Sequence, residues 1–593
     1  MTMNGLRSPH HRKFWTSLRL IASICLLSHM LLGSLTMAQN PAQAVAGQQP
    51  AAAKNPEPKA QQARQAPPAG LSYVAEAEKS GKGMRVALKD AIKMALQNNL
   101  TIAIQEYESE NYEQRMIGDR GAYDPNMTFS LSTTSRTNPN TSPFNQSVGG
   151  TGSLTNKSLV WNFGLSQVLP TGANYSMSYN TNRATSNSNS TYFTPSYGLN
   201  MTLNFTQPLL RNFRINGTKR QIRLTRLDAD SNDITFEDSV TSVIKSVQDA
   251  YWDLVFAIRN HEILRNSLEL AKVQLDNNRR KVEIGTLAPI EITSAEATVS
   301  QRDQSLIAGL ERIHVLENNL KRLLSRSSQA DIWDKILVPT DEPTYTKVDI
   351  QLGEAIQSAI ENRPELRKMR NELTKMDVNE SFYRNQKRPS VDFVASFGST
   401  GTAGGLSPAG QNCTIGRNPD GSAILGPCVS ADFIGGMGTA AGQVLGMDFT
   451  NWSVGAQVTI PLRNRSNESQ LAQQLIAKRK YQKQLSDQEQ AIQVEVRNAY
   501  QAIETNRQRV NTAEKGVQLA KEQLDGENKR FEAGLSTTFL VLDRQDRYQQ
   551  AEGTYLQALV DYRKTTAALY KAMFKTITQN DIEVAKAQPD SDK

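Results

Sequence analysis

The sequence predicts an α+β membrane protein in which amphipathic strands share a β-barrel and run on into very long helices. Three observations predict it. The first is an internal duplication: Val247, Ala250, Tyr251 and Leu254 recur 249 residues later as Val496, Ala499, Tyr500 and Ile503. Arg280-Lys281-Val282-Glu283-Ile284-Gly285 recurs at that offset as Lys529-Arg530-Phe531-Glu532-Ala533-Gly534. Leu88, Ala91, Ala95 and Asn98 recur 264 residues later as Leu352, Ala355, Ala359 and Asn362, and Pro208-Leu209 recurs 253 later as Pro461-Leu462. A period this long exceeds the roughly 20–50 residues of a solenoid repeat, so each half is a large structural unit. The second observation is period-two alternation in several segments. The third is helical patterning sustained over about 216–284 and 465–533.

The elements follow in order. Arg7, Arg12, Lys13 and Arg19 precede an apolar run from Ile21 to Leu35, and Thr36-Met37-Ala38 offers a cleavage site. Residues 1–38 therefore read as a secretory signal, too short in its apolar part for a membrane-spanning helix. Residues 39–85 begin rich in Ala, Gln and Pro and read as a flexible segment, because so little apolar surface cannot offset the entropy of ordering. The first repeat spans 86–325, a linker 326–350, the second repeat 351–575 and a tail 576–593. Each repeat opens on an amphipathic helix, with Leu88, Ala91, Ile92 and Ala95 on one stripe of the first.

Strands come next. Met127, Phe129 and Leu131 alternate with polar residues, as do Tyr197, Leu199, Met201, Leu203 and Phe205. In the second repeat Val391, Phe393, Ala395 and Phe397 match them, with Trp452, Val454, Ala456, Val458 and Ile460. Such alternation gives each strand one apolar and one polar side. The first repeat also has a hairpin over 158–183, turning at Pro170-Thr171-Gly172, which the second lacks. The second instead has a long segment, about 399–450, that reads as a loop and holds Cys413 and Cys428. Two thiols close together in an exported chain favour a disulfide.

The long helical stretches would each span about 100 Å at 1.5 Å per residue. Gly285 and Gly534 sit where such helices end. Val541, Tyr548, Tyr555, Tyr562 and Leu569 follow at seven-residue spacing, the mark of helices packed side by side as coiled coil. No mature segment is apolar enough for a membrane-spanning helix, so a closed barrel is the remaining way to satisfy the backbone in lipid. Four paired strands fall short of the usual minimum of about eight, which requires several chains.

Composition excludes other classes. The net charge of +8 includes the signal region, and no basic stripe interleaved with aromatics marks a nucleic-acid surface. Outside the signal only His261 and His314 remain, both in helical patterns, and no catalytic constellation, phosphate loop or metal set is present. The expectation is a non-enzyme without cofactor or metal. A pore-less coiled-coil structural or adaptor protein of the envelope is the competing class.

The duplicated Ala-x-x-x-Ala-Leu-x-Asn segment (Ala91 to Asn98), whose second copy reads Ala355 to Asn362 with Ile360 in the leucine position, the Pro-Leu pairs and the duplicated Gly-centred turns together resemble the TolC-like outer-membrane efflux family over about 86–575. The resemblance implies a homotrimer with a twelve-stranded outer-membrane barrel continuous with a periplasmic α-helical coiled-coil tunnel. It implies an exit duct working with a periplasmic membrane-fusion adaptor and an inner-membrane transporter of the RND, ABC or MFS type. It assigns adaptor docking to the turns Ile284-Gly285-Thr286 and Ala533-Gly534-Leu535. It places a periplasmic gate at Glu291 and Asp543, while Leu540 and Ser536 depart from the family's acidic residue and arginine. The extra hairpin either adds two strands per chain, eighteen in a trimer, or rises outside the membrane. The family's count of twelve is the expectation carried forward.

Overall fold

The computed structural model describes residues 73–140, 150, 152–580 and 582. The predicted signal and most of the Ala/Gln/Pro-rich segment lie outside these residues. The long helices are where periodicity put them: α3 is Gly217–Glu283 and α8 is Arg465–Glu532, each followed after a short turn by a 35-residue partner, α4 (Ile290–Leu324) and α9 (Thr538–Ala572). Buried residues on α3 fall at Val240, Ile244, Val247, Tyr251, Leu254 and Ile258, alternate steps of four and three, the repeat of a coiled-coil seam. On α8 the repeat-related Val496, Ile503 and Val510 are buried in the same way. The seven-residue stripe of α9 is buried at Val541, Tyr562 and Leu569 and half-buried at Tyr548 and Tyr555.

Each repeat opens on a short helix, α1 (Leu88–Asn98) or α5 (Leu352–Asn362), that packs on the long helix of its own half. Ala91, Ala95, Ala355 and Ala359 are fully buried, so small side chains let the helices approach closely. A second helix follows in each half, α2 (Leu100–Arg120) and α6 (Pro364–Gln386). Asn99 caps α2 by accepting from the Thr101 amide at 2.9 Å.

Two boundaries move. The ordered unit begins at least as early as Tyr73, not at 86: Tyr73 is buried and its hydroxyl donates to Glu317 at 2.8 Å. Strand Gly83–Val86 pairs in parallel with Ile336–Pro339, which draws the 326–350 linker into the fold. At the other end Thr576–Gln579 is helical, and Ile577 and Ile582 pack on the first repeat's core.

The main sheet holds six strands: β1 (Asn126–Pro139), β2 (Ser153–Val168), β3 (Asn174–Ser186), β4 (Phe193–Pro208), β5 (Ser390–Leu406) and β6 (Thr450–Thr459). All neighbours are antiparallel, in the order β6-β5-β4-β3-β2-β1. The expectation of four strands per chain is therefore corrected. The extra hairpin is β2–β3, inserted between the two strands that the second repeat mirrors. Its turn lies at the helical end, where the Arg214 amide donates to the Thr171 carbonyl.

The 399–450 loop is also shorter than expected, because β5 continues to Leu406. Its last residues are small for a reason. Helix α7 (Met437–Gly446) lies against the apolar face of β4 and β5, burying Leu199, Ala403, Ala440 and Val444 together. A Cβ on Gly401 would come within 2.1 Å of the Ala440 carbonyl oxygen, so only glycine fits that crossing. Cys413 and Cys428 are disulfide-bonded with Cα atoms 5.1 Å apart, at the base of a small hairpin formed by Cys413–Arg417 and Ala423–Gly426.

Candidate functional site

The two helical turns are built alike. In the first, the Ile284, Gly285 and Thr286 amides donate back to the Arg280, Val282 and Lys281 carbonyls. In the second, Ala533, Gly534 and Leu535 donate to Lys529, Phe531 and Arg530. This is a helix end closed through a left-handed residue, and Gly285 and Gly534 have φ of 75° and 74°. A Cβ at either would meet no atom, so backbone conformation alone demands glycine there. Lys281 places its ammonium 3.6 Å from the centroid of the Phe531 ring, a cation–π contact between the two turns.

The turns carry unusual apolar exposure. Ile284 is 73% and Leu535 80% exposed, and Ile290 and Phe539, just beyond the turns, are comparable. Ala533 and Thr286 are exposed beside them. Ile290 and Phe539 carry no signal of this exposure in the sequence, because an apolar residue in the first turn of a helix reads as core.

Glu291 lies in the first turn of α4, half-exposed, and its backbone carbonyl accepts from the fully buried Asn278 at 3.3 Å. Asp543 is held on its own helix, accepting from Arg547 at 2.9 Å with Arg544 at 3.9 Å. Two arginines thus compensate its charge. Ser536 donates to the buried Glu527, closing the turn where the family's arginine is absent.

A polar link that the sequence reading did not single out lies higher on the helices. Arg302 of α4 is buried and donates to the Ser267 carbonyl of α3 at 2.8 Å, to Gln545 of α9 at 3.3 Å and to Asp546 of α9 at 2.7 Å. Beside it Ser267 donates to Gln549. One side chain therefore ties both helical hairpins together. An arginine on an amphipathic helix reads as solvated, so nothing in its spacing announces this role.

His261 of α3 is buried with an unpartnered Nδ1, at the position that Val510 occupies in the second repeat. Burial and nearby Arg265 hold its pKa below the ordinary histidine value. The unfolded chain then binds the proton more readily than the fold does. Stability is full above the unfolded value of about 6.5 and is lost as pH falls from there through the depressed folded value. Thermal unfolding at pH 7.5 and 5.5 is expected to show an acid loss that is smaller in His261→Val. An equal loss in both proteins would remove His261 as its cause.

Among the described residues no group of His, Cys, Asp and Glu is arranged to hold a metal ion. No helix among them is long and apolar enough to cross a membrane.

Long paired helices, a two-faced antiparallel sheet at one end and exposed apolar turns at the other define a class of envelope channel. A family model described as outer membrane efflux protein matches residues 171–326 and 355–573, more than half of the chain. The protein belongs to the outer membrane efflux protein family, a family of transport proteins of the TolC-like type. It is accordingly a protein of the Gram-negative outer membrane with a large periplasmic part. Solved structures share the fold. The Campylobacter jejuni outer membrane channel CmeC is 16% identical with a TM-score of 0.57, over 84% of this chain and 90% of its own. Vibrio cholerae VceC is 14% identical with a TM-score of 0.55, over 82% and 95%. The open-state Neisseria gonorrhoeae channel MtrE is 16% identical with a TM-score of 0.53, over 83% and 89%. No curated protein matches the chain in sequence.

Proposed function

We propose that three copies of this chain form the outer-membrane exit duct of a tripartite efflux or type I secretion system. The carrying observation is the sheet, whose two faces suit lipid and water, joined at one end to helices about 100 Å long. The sheets close into a barrel shared by the trimer, and the helices form the tunnel beneath it. Conduction is passive, and an inner-membrane pump of the RND, ABC or MFS type supplies the energy. A periplasmic adaptor docks on Ile284, Gly285, Thr286, Ala533, Gly534 and Leu535. A pore-less coiled-coil role is disfavoured, because it leaves the sheet's continuous apolar face without cover. Outer-membrane fractionation with chemical crosslinking tests the assembly: trimers are expected, and a monomer washed free of the membrane would favour the pore-less role.

Glu291 and Asp543 are the gate residues of this reading. Glu291→Ala with Asp543→Ala is expected to lower cation preference in single-channel recordings while trimer stability stays within about 0.5 kcal/mol, as for surface positions. Unchanged conductance and selectivity would remove both from the gate. Arg302 serves as a second closure element. Arg302→Leu removes its tie between α9 and the first hairpin, loosening that junction, and is expected to raise open-channel current several-fold, whereas conductance equal to wild type would leave Arg302 a packing residue only.

A further inference from the structure

The register of the six strands carries a further statement about the exit itself. One row crosses the whole sheet through paired residues: Met127, Leu165, Met177, Leu203, Phe397 and Trp452. All six are apolar. The adjacent row crosses through Thr128, Gly164, Ser178, Thr202, Gly398 and Asn451, and none is apolar beyond glycine. Neighbouring rows face opposite sides. The extra hairpin β2–β3 therefore keeps the same two faces as the strands on either side of it. A hairpin standing clear of the membrane has no need of that match.

The apolar band also slants across the register. On β1 it runs from Met127 away from the helical end, to Phe129 and Leu131. On β6 it runs from Trp452 towards the helical end, to Val454 and Val458, and on to Ile460 just past the strand. A level membrane cuts a sheet this way when its strands are tilted and staggered as in a barrel.

The edges suit a second copy. β1 and β6 each pair on one side only and are exposed along their whole length. β1 leaves the helical end and β6 returns to it, so β6 of one copy meets β1 of the next in antiparallel fashion. This is the pairing that the rest of the sheet uses.

The polar face is almost free of charge. Among the described strand residues it bears only Asp392, near the helical end, and Arg136, near the far end. Between them lie mainly serine, threonine, asparagine and glycine, with Val160, Ala184 and Val394 among them. Helix α7 of the 407–449 segment does not fill this side, because it packs on the apolar face against Leu199 and Ala403.

We infer that the trimer closes an eighteen-stranded barrel with a wide, nearly uncharged bore, suited to bulky hydrophilic cargo of either charge sign. This rests on the trimeric duct reading. Barrel diameter grows roughly linearly with strand number, so the exit is about 1.5 times as wide as one of twelve strands. Selection and gating then fall to the helical end, and the barrel discriminates against neither charge nor moderate size.

A single-particle map of the full-length protein in lipid nanodiscs tests it. The expected result is a closed ring of eighteen strands from three chains, with α7 on the outside. A trimer closed by twelve strands, with β2–β3 off the wall, would overturn this inference and leave the duct reading intact. A closed ring of another copy number, or no closed ring, would overturn the trimeric reading first. The same sample in planar bilayers supplies a second readout. Non-electrolyte polymers added on the barrel side are expected to enter up to a size about 1.5 times that admitted by a twelve-stranded relative, and the same cutoff in both would contradict the wide bore.

Discussion

Phe163→Arg is expected to abolish trimers in the outer membrane, while Asn180→Arg is expected to leave them. Phe163 lies on the apolar face, paired with Phe129 and Tyr179. An arginine on the lipid side of a barrel costs about 2–4 kcal/mol near the midplane. Three copies carry that cost three times, which approaches the whole stability of an ordinary domain, about 5–15 kcal/mol. Asn180 is one residue along the neighbouring strand and on the opposite face, in a row with Ser130, Asn162 and Asn200. A guanidinium there points into water. Quantifying crosslinked trimers in outer-membrane fractions separates the outcomes. Equal accumulation of both variants would mean that the hairpin does not face lipid.

The second large effect belongs to the turns. Ile284→Asp with Leu535→Asp is expected to weaken adaptor binding by roughly several-hundred-fold. Two interface hot spots of about 2 kcal/mol each account for that, at 1.4 kcal/mol per tenfold. Both side chains are exposed and lie outside the helices proper, so folding is expected to change by no more than about 0.5 kcal/mol. The backbone pattern that closes each turn uses main-chain groups and survives the substitution. Titrating purified adaptor onto immobilised trimer gives the affinity. An unchanged value, with trimers intact, would leave Gly285 and Gly534 as helix terminators and nothing more.

The helices were legible in the sequence because their signal is redundant. Spacing of the apolar residues, the terminal glycines and the repeat all point to the same bounds. The strands' faces were legible too, since alternation fixes which side of a strand is apolar. Alternation does not name a strand's neighbour, so the place of β2–β3 in the sheet needed the pairing itself. Residues 399–406 read as loop because they are mostly Gly, Ser, Thr and Ala. Their smallness records the close approach of α7, a tertiary demand with no local signature. The helix at Tyr73–Lys79 was hidden for a similar reason: it is anchored by Tyr73 to Glu317, over two hundred residues away.

At the turns, the glycines and their flanking residues were visible from the duplication. Arg302 was not, because two of its three partners come from α9, over two hundred residues away. Asp543 shows the converse. Its position matched a family pattern, and the structure surrounds it with Arg544 and Arg547. A carboxylate so compensated projects less field into a lumen than a bare one, which makes its predicted effect on selectivity smaller than that of Glu291.

The most direct test of the exit-duct account is ion conduction by the purified full-length protein in planar bilayers. The account predicts discrete channel openings, rare in wild type and larger or more frequent in Arg302→Leu, with every active complex a trimer. Intact membrane-inserted trimers that pass no current in either form would contradict it.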